Sequence, residues 1–320
     1  MDGMIAFRIG EIPVYTFGLI VALGTLLFSG AFALEMKKRK MLCGFPLCAC
    51  CAVLCGFVLG RLFFCLLDQS FLADRPFSDL LHPDYGGFSM MGALFGASLG
   101  VFIGCFLQKL TFNAVLDAAA PGMLLFVFVS RFAEWGSEEL GLSRPMRTGF
   151  LMGTFLDSEG YMKVYLLEMM AALILILITL CVLNKKYTNG GVMLGTMMLF
   201  GAAQVILESL KHDGHMSFGF VGIQHVMSYL ILVLGLIFLA VPEWNGDRKK
   251  RARLTVLLVV PFAAACVLIE FLLDRTPVSR WLLYAAYILL MMILCAMGFS
   301  LLQKRERKNQ RTIDNSEKKA

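Results

Sequence analysis

Residues 12–40 read IPVYTFGLIVALGTLLFSGAFALEMKKRK, an apolar run free of charge up to Glu35 and closed by Lys37, Lys38, Arg39 and Lys40. About 20 mainly apolar residues suffice to cross a bilayer as a helix. A cleaved secretion signal carries its basic residues ahead of the apolar run; here they follow it, so this segment is expected to remain as a first span. Comparable stretches run over residues 43–67, 88–107, 114–132, 164–183, 190–210, 219–241, 254–273 and 281–302. Composition agrees: 58% of the 320 residues are hydrophobic and 16% charged, with mean hydropathy +0.75. Soluble domains hold about 45–50% apolar residues. The expectation is an all-α, polytopic membrane protein of about nine helices.

Lys and Arg accumulate on cytoplasmic flanks, and here they fall on alternate loops. After Lys37–Lys40 come Lys109, then Lys185 and Lys186, then Arg248, Lys249, Lys250, Arg251 and Arg253, and finally the tail from Lys304 to Lys319. This pattern places the N-terminus outside and the C-terminus in the cytoplasm. The first outer loop, with Asp68, Asp74, Asp79 and Asp84 against Arg75, agrees. The net charge of +6 therefore calls for no nucleic-acid partner. The tail after Gln303 has little apolar content and is expected to be disordered or to lie along anionic lipid.

Of the ten cysteines, Cys48, Cys51 and Cys55 share one face of the second helix. Nearly all ten sit in apolar surroundings without His or carboxylate neighbours, where a thiol behaves as a small hydrophobe suited to close helix contact. Neither a metal site nor a disulfide framework is indicated. Ionisable residues in or beside the membrane are more informative, since each costs about 3 kcal/mol or more there. Arg61, Arg131, Glu168, Gln204, Glu208 and Lys211 all fall in the outer halves of their helices, suggesting a site for an anionic headgroup; Asp117 and Glu35 lie toward the inner side. Any one of the long side chains could instead snorkel to the interface.

Three segments sharpen this picture. Gly86 and Gly87 precede a helix containing Gly96, Gly100 and Gly104. Glycines at a helix mouth let backbone amides approach a phosphate, but small residues spaced by four also allow tight helix packing. Arg131, followed by Glu134, Glu138 and Glu139, could fork onto a phosphate or snorkel beside Trp135. Gln204, Glu208 and Lys211 are spaced to share one helical stripe, as a site or as a surface ion pair.

In order and spacing these segments resemble the prolipoprotein diacylglyceryl transferase family over about residues 10–240. The matching residues are Pro13 and Gly18, Arg61 after Gly60, Gly86-Gly87, Asp117 with Pro121, Arg131, Glu139, Glu168, Gly190-Gly191, Glu208 and Ser228. The chain departs from the family pattern elsewhere: Met91 stands for a histidine, Gln204 for an arginine, Glu134 for an asparagine, Phe17 and Phe200 for tyrosines, and Lys211 for an arginine. The pattern is that of a divergent member.

The resemblance implies a seven-helix core over residues 1–242; outside it lie a basic cytoplasmic loop with two extra membrane helices over 243–303 and the tail over 304–320. It implies transfer of a diacylglyceryl group from phosphatidylglycerol to the lipobox cysteine of a prolipoprotein signal peptide, in the bacterial plasma membrane, at a site facing the extracytoplasmic side and without metal or cofactor. Phosphate contacts would come from Arg131 and Arg61, helped by Gly86, Gly87, Gln204 and Lys211. Glu208 would be the base, with Glu134 or Glu139 as alternatives. Three histidines, His212, His215 and His225, are available besides, and the first two alone are too few for zinc. Two other classes stay open: a catalytically inactive paralogue that binds phospholipid or regulates a partner, and a transporter, which charges gathered at one face fit poorly.

Overall fold

The computed structural model describes residues 5–10, 12–67, 87–136, 142–145, 155–156, 161–187, 190–211, 217–218, 221–243, 249–276 and 278–317. Among the described residues, nine helices are long and apolar enough to cross a membrane. We number them α1 (Thr16–Lys38), α2 (Phe45–Leu67), α3 (Met90–Gln108), α4 (Phe112–Phe132), α5 (Val164–Ile178), α6 (Gly191–Leu210), α7 (Ile223–Ala240), α8 (Lys249–Arg275) and α9 (Arg280–Glu317). A π-helical turn, Thr179–Leu183, carries α5 on to Lys186. Three two-stranded antiparallel hairpins are the only sheets among the described residues. Large apolar side chains stand bare along the helices, for example Phe106 at 75% and Val260 at 72% exposure. So much exposed apolar surface suits lipid as the solvent, and the protein is an all-α, multi-pass membrane protein.

Backbone contacts divide the chain into two compact units: Met1–Leu177 with Leu210–Met216, and Ile178–Ser209 with Ser217–Ala320. In the first unit α2 packs along α3 and α1 along α4. Lipid supplies no hydrophobic force between membrane helices, so close backbone approach has to do the work. Gly92, Gly96, Gly100 and Gly104 provide it on α3: a Cβ on Gly96 or Gly100 would collide with the carbonyl oxygens of Cys55 and Cys51, and one on Gly104 would lie 2.7 Å from the Cys48 Cα. The cysteine face of α2 is thus the floor of a glycine groove, in keeping with the packing explanation of both motifs. The same logic joins α4 to α1, where a Cβ on Gly122 would lie 2.8 Å from the Phe28 carbonyl oxygen.

In the second unit α6 meets α7 at Gly201, within 2.7 Å of the Leu232 amide nitrogen if it carried a Cβ. The two last helices dock by hydrogen bonds as well as by packing. Tyr229 on α7 donates to the Val259 carbonyl of α8 (2.7 Å), and Tyr284 on α9 donates to the Ser209 carbonyl at the end of α6 (3.3 Å). The backbone of α9 stays helical through the basic segment to Glu317, where the sequence suggested either disorder or a position along anionic lipid. Gln, Lys, Arg and Glu are good helix formers, and no Gly or Pro interrupts them.

The glycine groove yields a graded test. Gly100→Ala should cost about 1–3 kcal/mol by overpacking, and Gly100→Leu should prevent the α2–α3 contact altogether. Gly30→Ala on α1, where a Cβ meets nothing within 4 Å, should be neutral or slightly stabilising. Thermal unfolding in detergent reads all three; equal melting points for the two alanine variants would contradict the groove.

Candidate active site

Four charged side chains of the first unit form one buried cluster. Arg131 ends α4, Glu134 lies on the 3-10 turn that follows (Ala133–Gly136), Glu168 sits in the second turn of α5, and Lys211 comes just after α6. Arg131 pairs with Glu134 through Nη1 and with Oε1 of Glu168 through Nη2 at 3.0 Å. The same Glu168 oxygen lies 3.0 Å from Nζ of Lys211. Glu168 is 1% exposed, Arg131 6% and Lys211 9%. Among the described residues, two acids thus face two bases. Desolvating such a group costs several kcal/mol per ion, and mutual attraction returns little of it beyond what apolar packing would give. Charges retained in such a place point to use rather than to stability.

Lys211 therefore differs from its expected setting. α6 ends at Leu210, so the lysine leaves the stripe shared by Gln204 and Glu208 and turns to Glu168. Gln204 and Glu208 are buried residues of the second unit, and Oε1 of Gln204 has no hydrogen-bond partner among the described residues. Met91 is buried in the first turn of α3 and Phe200 is buried in α6, while Phe17 is exposed at the start of α1. Gly86, Glu139, His212 and His215 lie outside the described residues.

Arg61 binds the carbonyl oxygen of Gly87 through Nη1 at 2.9 Å, with its guanidinium 5.7 Å from the Phe64 ring centroid. Gly87 needs to be glycine twice over: its φ is +95°, and the Phe64 ring occupies the space of a Cβ. At the α3 N-terminus Ser89 Oγ accepts from the Gly92 amide at 3.2 Å, an N-cap that occupies one of the amides a phosphate would use. Beside these residues an apolar cleft is lined by Thr25, Phe28, Gly56, Phe88, Met123 and Phe126. Toward the other end of the same unit, Asp117, fully buried, lies 3.9 Å from Arg39, and Glu35 is 2.5 Å from Lys38.

One buried polar group escaped the sequence reading. In the second unit the Tyr287 hydroxyl of α9 lies 3.0 Å from Nε2 of His225 on α7, 3.2 Å from the Cys266 carbonyl and 3.3 Å from Oε1 of Glu270, both on α8. His225 is thereby committed to the C-terminal helices. Glu270, the one acid in the apolar run 254–273, was the available sign. Among the described residues no group of three or more His, Cys, Asp or Glu could hold a metal ion.

The sequence profile of prolipoprotein diacylglyceryl transferase matches residues 4–241. The chain belongs to that family. Similar curated proteins include phosphatidylglycerol–prolipoprotein diacylglyceryl transferase 1 of Clostridium perfringens, 23% identical over 261 residues, covering 77% of this chain and 97% of that one. The enzyme of the same name from Lactobacillus delbrueckii subsp. bulgaricus is 22% identical over 253 residues (73% and 88%), and that of Bacillus cereus 22% over 261 residues (77% and 94%). The Arg131 cluster falls within the stretch that the transferase family shares. Helices α8 and α9 fall beyond it, joined to α7 by Tyr287.

Glu168 is the keystone of the cluster, and removing it is informative. Glu168→Leu strips Arg131 and Lys211 of their shared carboxylate and should cost about 3–5 kcal/mol, with Glu168→Gln costing less. Chemical unfolding in detergent measures both; wild-type stability in the leucine variant would show that the three side chains do not share a buried site.

Proposed function

We propose that this protein transfers the diacylglyceryl group of phosphatidylglycerol to the lipobox cysteine of prolipoprotein signal peptides. It would act in the bacterial plasma membrane with its N-terminus outside, its C-terminus in the cytoplasm and its site toward the extracytoplasmic side. One observation carries the proposal: in a chain of this family, a guanidinium and an ammonium are held in a buried place by one carboxylate oxygen. A guanidinium presents paired N–H donors that match a phosphodiester, and an ammonium adds a point charge.

The chemistry asks for little more. The thiol, with an ordinary pKa near 8.5, gives up its proton, and the sulfur lone pair forms a bond to the glyceryl carbon. The carbon–oxygen bond to phosphate breaks and glycerol phosphate leaves as an anion. The protein binds the phosphate, which is the work of Arg131 and Lys211, and takes the proton. Among the described carboxylates of the first unit, Glu134, paired with Arg131, is the candidate for that. Arg61 acts at one remove, by holding the Gly87 loop. The apolar cleft lined by α1, α2, α3 and α4 is of a kind to receive an acyl chain.

Purified protein, phosphatidylglycerol vesicles and a lipobox peptide test this. The expected result is a thioether-linked diacylglyceryl peptide by mass spectrometry, no product with Arg131→Ala, and a small residual rate with Arg131→Lys, which keeps charge without the fork. Peptide left unmodified by wild-type protein that still binds the lipid would assign it instead to the phospholipid-binding class, consistent with its Met91 and Gln204 departures.

A further inference from the structure

Arg131 is already occupied. Glu134, three residues on, sits on its Nη1, while Glu168 holds Nη2. A phosphate that forks onto Nη1 and Nη2 has to displace a carboxylate, and the two are not equivalent. Glu168 is the more enclosed, its side chain at 0% exposure, and also serves Lys211. Glu134 stands at 13% on a short turn of backbone beyond the helix, and its departure leaves the Arg131–Glu168–Lys211 chain whole. Resting on the transfer reaction above, we propose that Glu134 is both the resident stand-in for the substrate phosphate and the base of the reaction: phosphate takes its place on Arg131, and the displaced carboxylate takes the thiol proton.

Like-charge repulsion supports the coupling. A phosphodiester on Arg131 sets a second anion beside Glu134, and in a poorly hydrated site that favours the protonated acid. The thiol supplies the proton, its charge passing to sulfur as the nucleophile. Sulfur then bonds to the glyceryl carbon, the carbon–oxygen pair passes to the phosphate, and glycerol phosphate forms as a monoester whose second ionisation lies near 6. That oxygen can take the proton back from Glu134. The regenerated carboxylate then competes for Arg131 and drives the product out. Substrate binding, proton transfer and release thus turn on one side chain.

This makes an unusual kinetic signature. In the assay above, Glu134→Gln removes both competitor and base, so KM for phosphatidylglycerol should fall about tenfold while kcat falls about 100-fold or more, the usual size of a general-base contribution. Glu134→Asp should retain much of kcat with a wild-type KM. A residue that only supports the fold would raise KM or lower expression. An unchanged kcat in the glutamine variant overturns the base, and an unchanged or raised KM overturns the displacement. Direct binding of short-chain phosphatidylglycerol, with diacylglycerol as uncharged control, separates this from the transfer reading. If wild-type protein transfers nothing, that reading fails and the base with it, and tighter binding to Glu134→Gln than to wild type still decides for displacement, equal binding against it.

Discussion

A single carboxylate oxygen of Glu168 faces two cations at 3.0 Å, and the site depends on that shared contact. Ions in a membrane protein are costly to bury, so a cationic place for a phosphate cannot simply be left open. Glu168 draws Arg131 from the end of α4 and Lys211 from beyond α6 to one point. Glu134 completes the neutralisation from the turn after α4. Among the described residues, two acids and two bases thus meet in one place.

The framework reaches this arrangement by close backbone contact. With no hydrophobic force between helices in lipid, the glycines of α3 let it lie directly on the carbonyls of α2, and Gly122 does the same for α4 against α1. Rigid placement of α4 matters because its last turn delivers Arg131. In the second unit, hydrogen bonds from tyrosines complement the glycines. Tyr284 and Tyr287, three residues apart on α9, reach the end of α6, His225 of α7 and Glu270 of α8. The two helices beyond the family's shared stretch are thus tied into their unit through specific polar atoms.

Much of this was legible in the residues. The nine spans follow from apolar length, and Arg131, Glu168 and Lys211 stand out because charge is scarce in such runs. Partner choice was not legible. Glu168 joins residues on two other elements, and no local spacing announces that; helical periodicity even pointed Lys211 along the Glu208 stripe, because the end of α6 at Leu210 has no Gly or Pro to mark it. The Gly96, Gly100 and Gly104 spacing was readable as helix packing, and the carbonyls facing Gly96 and Gly100 agree with it. Glu270 was visible as a lone acid in an apolar run but gained meaning only once Tyr287 and His225 were brought beside it.

The most direct test of the site is a structure of the full-length protein in a phosphatidylglycerol bilayer. The phosphate should lie within hydrogen-bond distance, about 3 Å, of the Arg131 guanidinium, with Glu168 still joined to Arg131 and Lys211 and Glu134 turned away. A headgroup bound elsewhere, with the Arg131–Glu134 pair intact, would contradict the account.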